Sequence, residues 1–160
     1  MRAVIDTNVV AHLLLGTEGF IDESRACLAT VAQPIAPAHW EAELANVVWM
    51  AVRAGILPAA EGPVRLSLAR RLGVESMATA TLCQGALLRS VRSGVAVYDT
   101  LFVELAARTG CPLLTFDKAV IKSLPQDRDP APRLARRLSG SQAARGVRLS
   151  QARMDGRRDA

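Results

Sequence analysis

Apolar positions along the chain gather into short runs separated by Gly and Pro. Arg2–Ile5 is a β-prone run that ends at Asp6. Over Thr7–Leu15, Val9, Val10, Leu13 and Leu14 recur at helical spacing until Gly16 and Gly19 interrupt them, which predicts a helix. Residues 22–31 read as a second helix, and residues 34–37 leave room only for a very short strand between two prolines. Residues 38–54 predict a long helix stopped by Gly55. Pro58 opens another that runs to about Leu72, ahead of Gly73. Residues 75–91 predict an Ala/Leu-rich helix closed by Gly94, and residues 95–97 read as a strand fragment or as the entry to the next helix. Residues 99–109 predict a helix stopped by Gly110, residues 112–116 a strand, and residues 118–124 a short helix.

Strands separated by helical segments imply a parallel sheet covered on both faces, here in a chain where helix dominates. The expected architecture is therefore α/β, with one domain over residues 1–125. Beyond Pro125 the pattern fails. Residues 126–160 read as a basic tail, disordered or loosely helical, with Leu-Ala-Arg-Arg-Leu as one or two basic helical turns.

Charge sharpens that boundary. Residues 1–125 carry 11 Lys/Arg against 11 Asp/Glu, whereas residues 126–160 carry 9 Arg against 4 Asp, so the whole surplus of +5 lies in the tail. This is a neutral domain with a basic extension, not a uniformly basic nucleic-acid-binding domain. Cys27, Cys83 and Cys111 are isolated and odd in number, which points to a reducing cytoplasm and to neither a zinc site nor a disulfide framework. No apolar run reaches the ~20 residues that span a bilayer, and no signal-length apolar core precedes Asp6.

The candidate chemistry lies in four acidic segments, Val-Ile-Asp-Thr-Asn-Val at 4–9, Glu-Ala-Glu-Leu-Ala-Asn-Val at 41–47, Val-Tyr-Asp-Thr-Leu-Phe at 97–102 and Leu-Leu-Thr-Phe-Asp-Lys at 113–118. Each sets a carboxylate beside an apolar run. Carboxylates collected near buried surface need a compensating cation, and several together read as a hard-metal site. Asp6 stands where a strand gives way to a helix, a place that suits a helix N-cap and equally a ligand at a strand's carboxyl end. Thr7 and Asn8 add oxygen atoms nearby. Glu41 and Glu43 flank the apolar stripe of Trp40, Leu44, Val47 and Ala51 about equally, so helix phase does not choose between them. Asp99 shares a face with Phe102, Val103 and Ala106, while Glu104 points elsewhere. Asp117 follows the last strand, again as N-cap or ligand, with Thr115 two residues before it. Neighbouring parallel strands lie ~4.8 Å apart, so two strand-end Asp residues can share one cation. His12 and His39 have no such context and read as structural or surface residues.

Taken together these segments resemble the PIN domain, and most closely the VapC-type toxins of bacterial toxin–antitoxin pairs, over about residues 1–124. Asp6–Val9 is similar to the family's opening motif, Glu43–Val47 to its second, Tyr98–Ala106 to its third and Leu113–Asp117 to its fourth. The resemblance favours Glu43 over Glu41. It implies a three-layer α/β/α sandwich with a short central parallel sheet, and a ribonuclease using Mg²⁺ or Mn²⁺ held by Asp6, Glu43, Asp99 and Asp117, with auxiliary roles for Asn8 and Thr115. It further implies an RNA substrate, an antitoxin partner and a homodimer. The family often has a last strand after the fourth motif. Residues 123–132 offer none, so the expected sheet has four strands and at most a very short fifth. Two rivals stand beside this reading. One is a haloacid-dehalogenase-like phosphatase, which wants a second acid where Asn8 stands. The other is an inactive PIN-fold module that binds a partner or RNA.

Overall fold

The computed structural model describes residues 1–123 and the backbone of 136–137; the rest of the basic extension lies outside the described residues. Strand β1 (Arg2–Ile5) buries Ala3, Val4 and Ile5 completely or nearly so. Such a continuous apolar run is the mark of a strand covered on both faces. It leads into α1 (Thr7–Leu15), which Gly16 closes in the left-handed conformation at φ 66°. Then follow α2 (Ile21–Ala29), β2 (Gln33–Pro37), α3 (Trp40–Arg53), α4 (Gly62–Arg70), β3 (Glu75–Met77), α5 (Cys83–Ser93), α6 (Val97–Thr109), β4 (Leu113–Thr115), α7 (Lys118–Ser123) and β5 (Arg136–Arg137).

The sheet has the order β3-β2-β1-β4-β5, and every pair is parallel. Helices α2, α3 and α4 pack around α1, while α5 and α7 pack against α6, which also lies on β1, β2 and β4. This is the helix-rich three-layer α/β/α arrangement. The main core joins sheet and helices through Val4, Ile5, Val9, Ile35, Leu44, Phe102, Leu105, Leu113 and Leu114. A satellite of Val48, Ala51 and Leu57 sits under α3. Helix α3 is thus covered on this side within the chain, whereas its Trp49 remains exposed.

Two elements depart from the sequence reading. The helix expected over residues 75–91 begins as β3, passes through a 3₁₀ turn over Thr79–Thr81, and becomes α-helical only at Cys83. β3 is held by backbone pairing to β2 and leaves Glu75 and Ser76 exposed, so it has no apolar alternation to read. Its side-chain ties are Trp40 Nε1 donating to Ser76 Oγ at 3.0 Å and an exposed ion pair of Glu75 with Arg2 at 3.9 Å. The second departure is β5. Two residues of the segment read as a loosely helical tail pair in parallel with Leu114 and Thr115, giving the sheet its short fifth strand beyond residue 125. The residues read as the entry to α6 are that: the helix starts at Val97.

Candidate functional site

The sheet's register brings the candidate residues together. Ile5 pairs with Leu114, so Asp6, the next residue on β1, stands beside Thr115 on β4. Val4 pairs with Ile35, so the end of β2 and the start of α3 emerge on the other side of Asp6. Parallel strands put all these ends on one edge, and the first turn of α6 adds Asp99.

Asp6 is the most firmly held. It caps α1, with Oδ1 accepting from the Asn8 backbone N–H at 3.1 Å. Oδ2 accepts from Asn8 Nδ2 at 2.9 Å and from Thr115 Oγ1 at 2.5 Å. Asn8 in turn donates to Thr115 Oγ1 at 3.2 Å, and its Oδ1 accepts the Phe116 N–H at 3.2 Å. Asn8 and Thr115 therefore form a small lattice that ties β4 to α1 and aims the Asp6 carboxylate. Glu43 is half-buried and accepts from Thr7 Oγ1 at 2.7 Å through Oε2, whereas Glu41 is exposed. The ambiguity of helix phase is settled by that contact. Asp117 caps α7: Oδ1 accepts from the Ala119 and Val120 N–H groups at 2.6 and 3.2 Å, leaving Oδ2 outside the cap. Its own N–H donates to Thr115 Oγ1 at 2.9 Å. Asp6 and Asp117 are thus both helix caps, and both border the carboxylate cluster.

Asp6 and Asp99 feel the neighbouring carboxylates. Burial pushes the Asp6 carboxyl up to about 7, helped by the charges of Glu43 and Asp99 and opposed by the hydrogen bonds from Thr115 and Asn8. Burial also raises Asp99 to about 6, reinforced by Asp117 and Glu43 and moderated by His39. Like charges at the edge of a core behave in this way when no cation offsets them. The donor set is all oxygen and suits Mg²⁺ or Mn²⁺, which use one or two carboxylates and keep several waters. Among the described residues, no three His, Cys, Asp or Glu side chains are arranged to hold an ion as they stand. Ligation by the set thus requires side-chain rotation, for which Asp117 Oδ2 and Asp99 are the freest groups.

His39 was missed by sequence reasoning. It is no surface residue: its Nε2 lies 3.4 Å from Glu43 Oε1, and its ring contacts Phe102 and Tyr98. The i, i+4 spacing of His39 and Glu43 was the available signal. His12, by contrast, is structural, stacked on Phe20 with ring centroids 4.3 Å apart and edge-on to Phe116.

Comparison with known proteins agrees with this geometry. A PIN domain matches residues 3–125. Two proteins named Ribonuclease VapC3, from two strains of Mycobacterium tuberculosis, are each 33% identical over 124 residues, covering 78% of this chain and 88% of their own length. A Ribonuclease VapC3 of Pyrobaculum aerophilum is 30% identical over 130 residues, covering 78% of this chain and 96% of its own. The chain belongs to the PIN-domain family and is a protein of its VapC type.

Proposed function

We propose that this chain is a divalent-metal-dependent endoribonuclease and the toxin of a toxin–antitoxin pair. The observation that carries the proposal is the approach of carboxylates from four separate places in the sequence: Glu43 and Asp99 act on Asp6, Asp117 and Glu43 act on Asp99, and Thr115 links the Asp6 carboxylate to the Asp117 backbone. The relatives named ribonucleases support the substrate class.

Asp6, Glu43, Asp99 and Asp117 would hold Mg²⁺ or Mn²⁺. When bound, the ion supplies an acidified water for attack on the phosphodiester and neutralises charge that develops on the phosphate oxygens. The chain's own residues prepare that site. Asn8 and Thr115 fix the Asp6 carboxylate, using three of its roughly four lone-pair positions and leaving one. Thr7 restrains Glu43 through a single oxygen. Four uncompensated carboxylates repel the RNA backbone, so substrate enters only with the cation.

The partners that follow are an RNA substrate, an antitoxin and a second copy of this chain in the cytoplasm. The exposed apolar residues Trp49, Ile56, Val64 and Leu68 around α3 and α4, and Leu87, Leu88 and Val91 on α5, supply surface for protein partners. Cys27, Cys83 and Cys111 are not joined in a disulfide, which suits a reducing compartment. Among the described residues no helix is long and apolar enough to cross a membrane.

The test is cleavage of single-stranded RNA by the purified protein. Cleavage in Mg²⁺ or Mn²⁺, none in EDTA, and none by Asp99→Asn is the expected outcome. One observation favours the inactive-module alternative, namely that among the described residues no three ligating side chains are arranged around a common point. No cleavage in any divalent metal would establish that alternative.

A further inference from the structure

Tyr98 is the chain's single tyrosine, and its side chain is left in water: the residue is 62% exposed although it directly precedes the half-buried Asp99 in the first turn of α6. One exposed aromatic is unremarkable in itself. Its surroundings are not those of a chance exposure. The Tyr98 ring lies 5.9 Å from the ring of His39, tilted by 48°. The His39 ring meets the buried Phe102 edge-on at 5.1 Å. Three rings therefore step from the core to the surface, and the middle one stands 3.4 Å from the Glu43 carboxylate. Neither ring nitrogen of His39 makes a hydrogen bond, so the ring is held by its packing together with the 3.4 Å contact between Nε2 and Glu43 Oε1.

The electrostatics of this edge give an exposed ring a use. Carboxylates outnumber cations among the side chains at this edge, where Lys118 follows Asp117, and residues 1–125 carry no net positive charge to attract phosphate. Affinity from the site's own side chains must then come from an interaction indifferent to charge. Stacking of an unpaired base on an aromatic face is such an interaction, and it tolerates any base.

We propose that Tyr98, braced by His39, is the platform on which one unpaired base of the substrate stacks, so that an adjoining phosphodiester lies over the carboxylates. The proposal rests on the ribonuclease reading above. Tyr98 acts here as a substrate-binding residue. His39 is a positioning residue that acts through it.

The experiment compares steady-state cleavage of a short single-stranded oligoribonucleotide in Mg²⁺ by the wild-type protein, Tyr98→Ala and Tyr98→Phe, with the melting temperature of each. Tyr98→Ala is expected to raise KM by roughly 5- to 150-fold, the range of a lost base stack, with kcat changed far less. Tyr98→Phe, which keeps the ring face, is expected to restore KM. Oligonucleotides with one abasic site add an independent readout. At one position near the cut, loss of the base should weaken binding to the wild type and add nothing further with Tyr98→Ala. Unchanged KM in Tyr98→Ala, with wild-type cleavage intact, overturns the platform and leaves the nuclease standing. Equal damage from Ala and Phe overturns it too, because the hydroxyl would then be the group that matters. A Tyr98→Ala protein that cleaves normally but sediments as a smaller species assigns the ring to a contact between copies and likewise overturns it. If the wild type itself does not cleave RNA, the ribonuclease reading fails and the platform fails with it.

Discussion

At the residue scale, the cluster sets the protein's response to pH. Asp6 and Asp99 stand at about 7 and about 6 in the folded chain, against an ordinary 3.8. Between about pH 4 and pH 7 the folded state therefore holds more protons than the unfolded state, and stability falls as pH rises through that window. Each excess proton contributes about 1.4 kcal/mol per pH unit. Glu104 works in the opposite sense: hydrogen bonds from Arg89 and Arg108 outweigh its burial and lower its pKa, so its contribution is lost only on acidification below its ordinary 4.5. In metal-free buffer the wild type should melt lower at pH 8 than at pH 5. Asp99→Asn should flatten that slope and melt higher than wild type at pH 8, as read by calorimetry. Mg²⁺ at pH 8 should raise the melting temperature of the wild type and do less for the variant. A wild type that gains stability from pH 5 to pH 8 would contradict this. Asp6, Asp99 and Asp117 were legible in the sequence because strand ends and helix starts leave a local pattern. The choice of Glu43 over Glu41 needed the resemblance, and in the structure it is the contact from Thr7 on α1 that separates them.

At the element scale, the strongest lesson lies between α5 and α6. The sequence set Glu104 off the face of Asp99, which is correct, but not its destination. Glu104 is only 7% exposed and is gripped by Arg89 and Arg108, each through Nε at 2.7 Å. Arg108 is its i+4 neighbour and was readable. Arg89 sits on another helix and was not. Gly85 on α5 makes room for this carboxylate, since a Cβ there would stand 2.1 Å from Glu104 Oε1. Replacing a helical Gly with Ala ordinarily stabilises by about 1 kcal/mol. Here overpacking, typically 1–3 kcal/mol, reverses the sign. Gly85→Ala is therefore expected to lower the melting temperature by roughly 2–8 °C. In a Glu104→Ala background the same change should become neutral or stabilising, because the obstructing carboxylate is gone. A Gly85→Ala protein that melts higher than wild type would contradict the packing. The helices α1, α3 and α6 were legible from their apolar periodicity and their glycine stops. β3 and β5 were not, because three- and two-residue edge strands are specified by the backbone of their neighbours.

At the scale of the whole molecule, the order β3-β2-β1-β4-β5 does what no single motif could: it sets the ends of β2, β1 and β4 side by side. Sequence alone implied a shared edge for Asp6 and Asp117, since parallel strands end together. It could not order the strands, and so could not tell that His39 and Glu43 would reach the same edge. The arrangement also separates charge, with a carboxylate cluster in the domain and the surplus of +5 in residues 126–160. Under the proposed function, a cation at the cluster would reconcile that acidity with a polyanionic substrate. The most direct test is diffraction from crystals grown with Mn²⁺, using its anomalous signal. The expected result is a peak at coordination distance, ~2.1 Å, from carboxylate oxygens of Asp6 and Asp99, with Glu43 and Asp117 turned toward it directly or through water. Crystals saturated with Mn²⁺ that show no peak among these four side chains would contradict it.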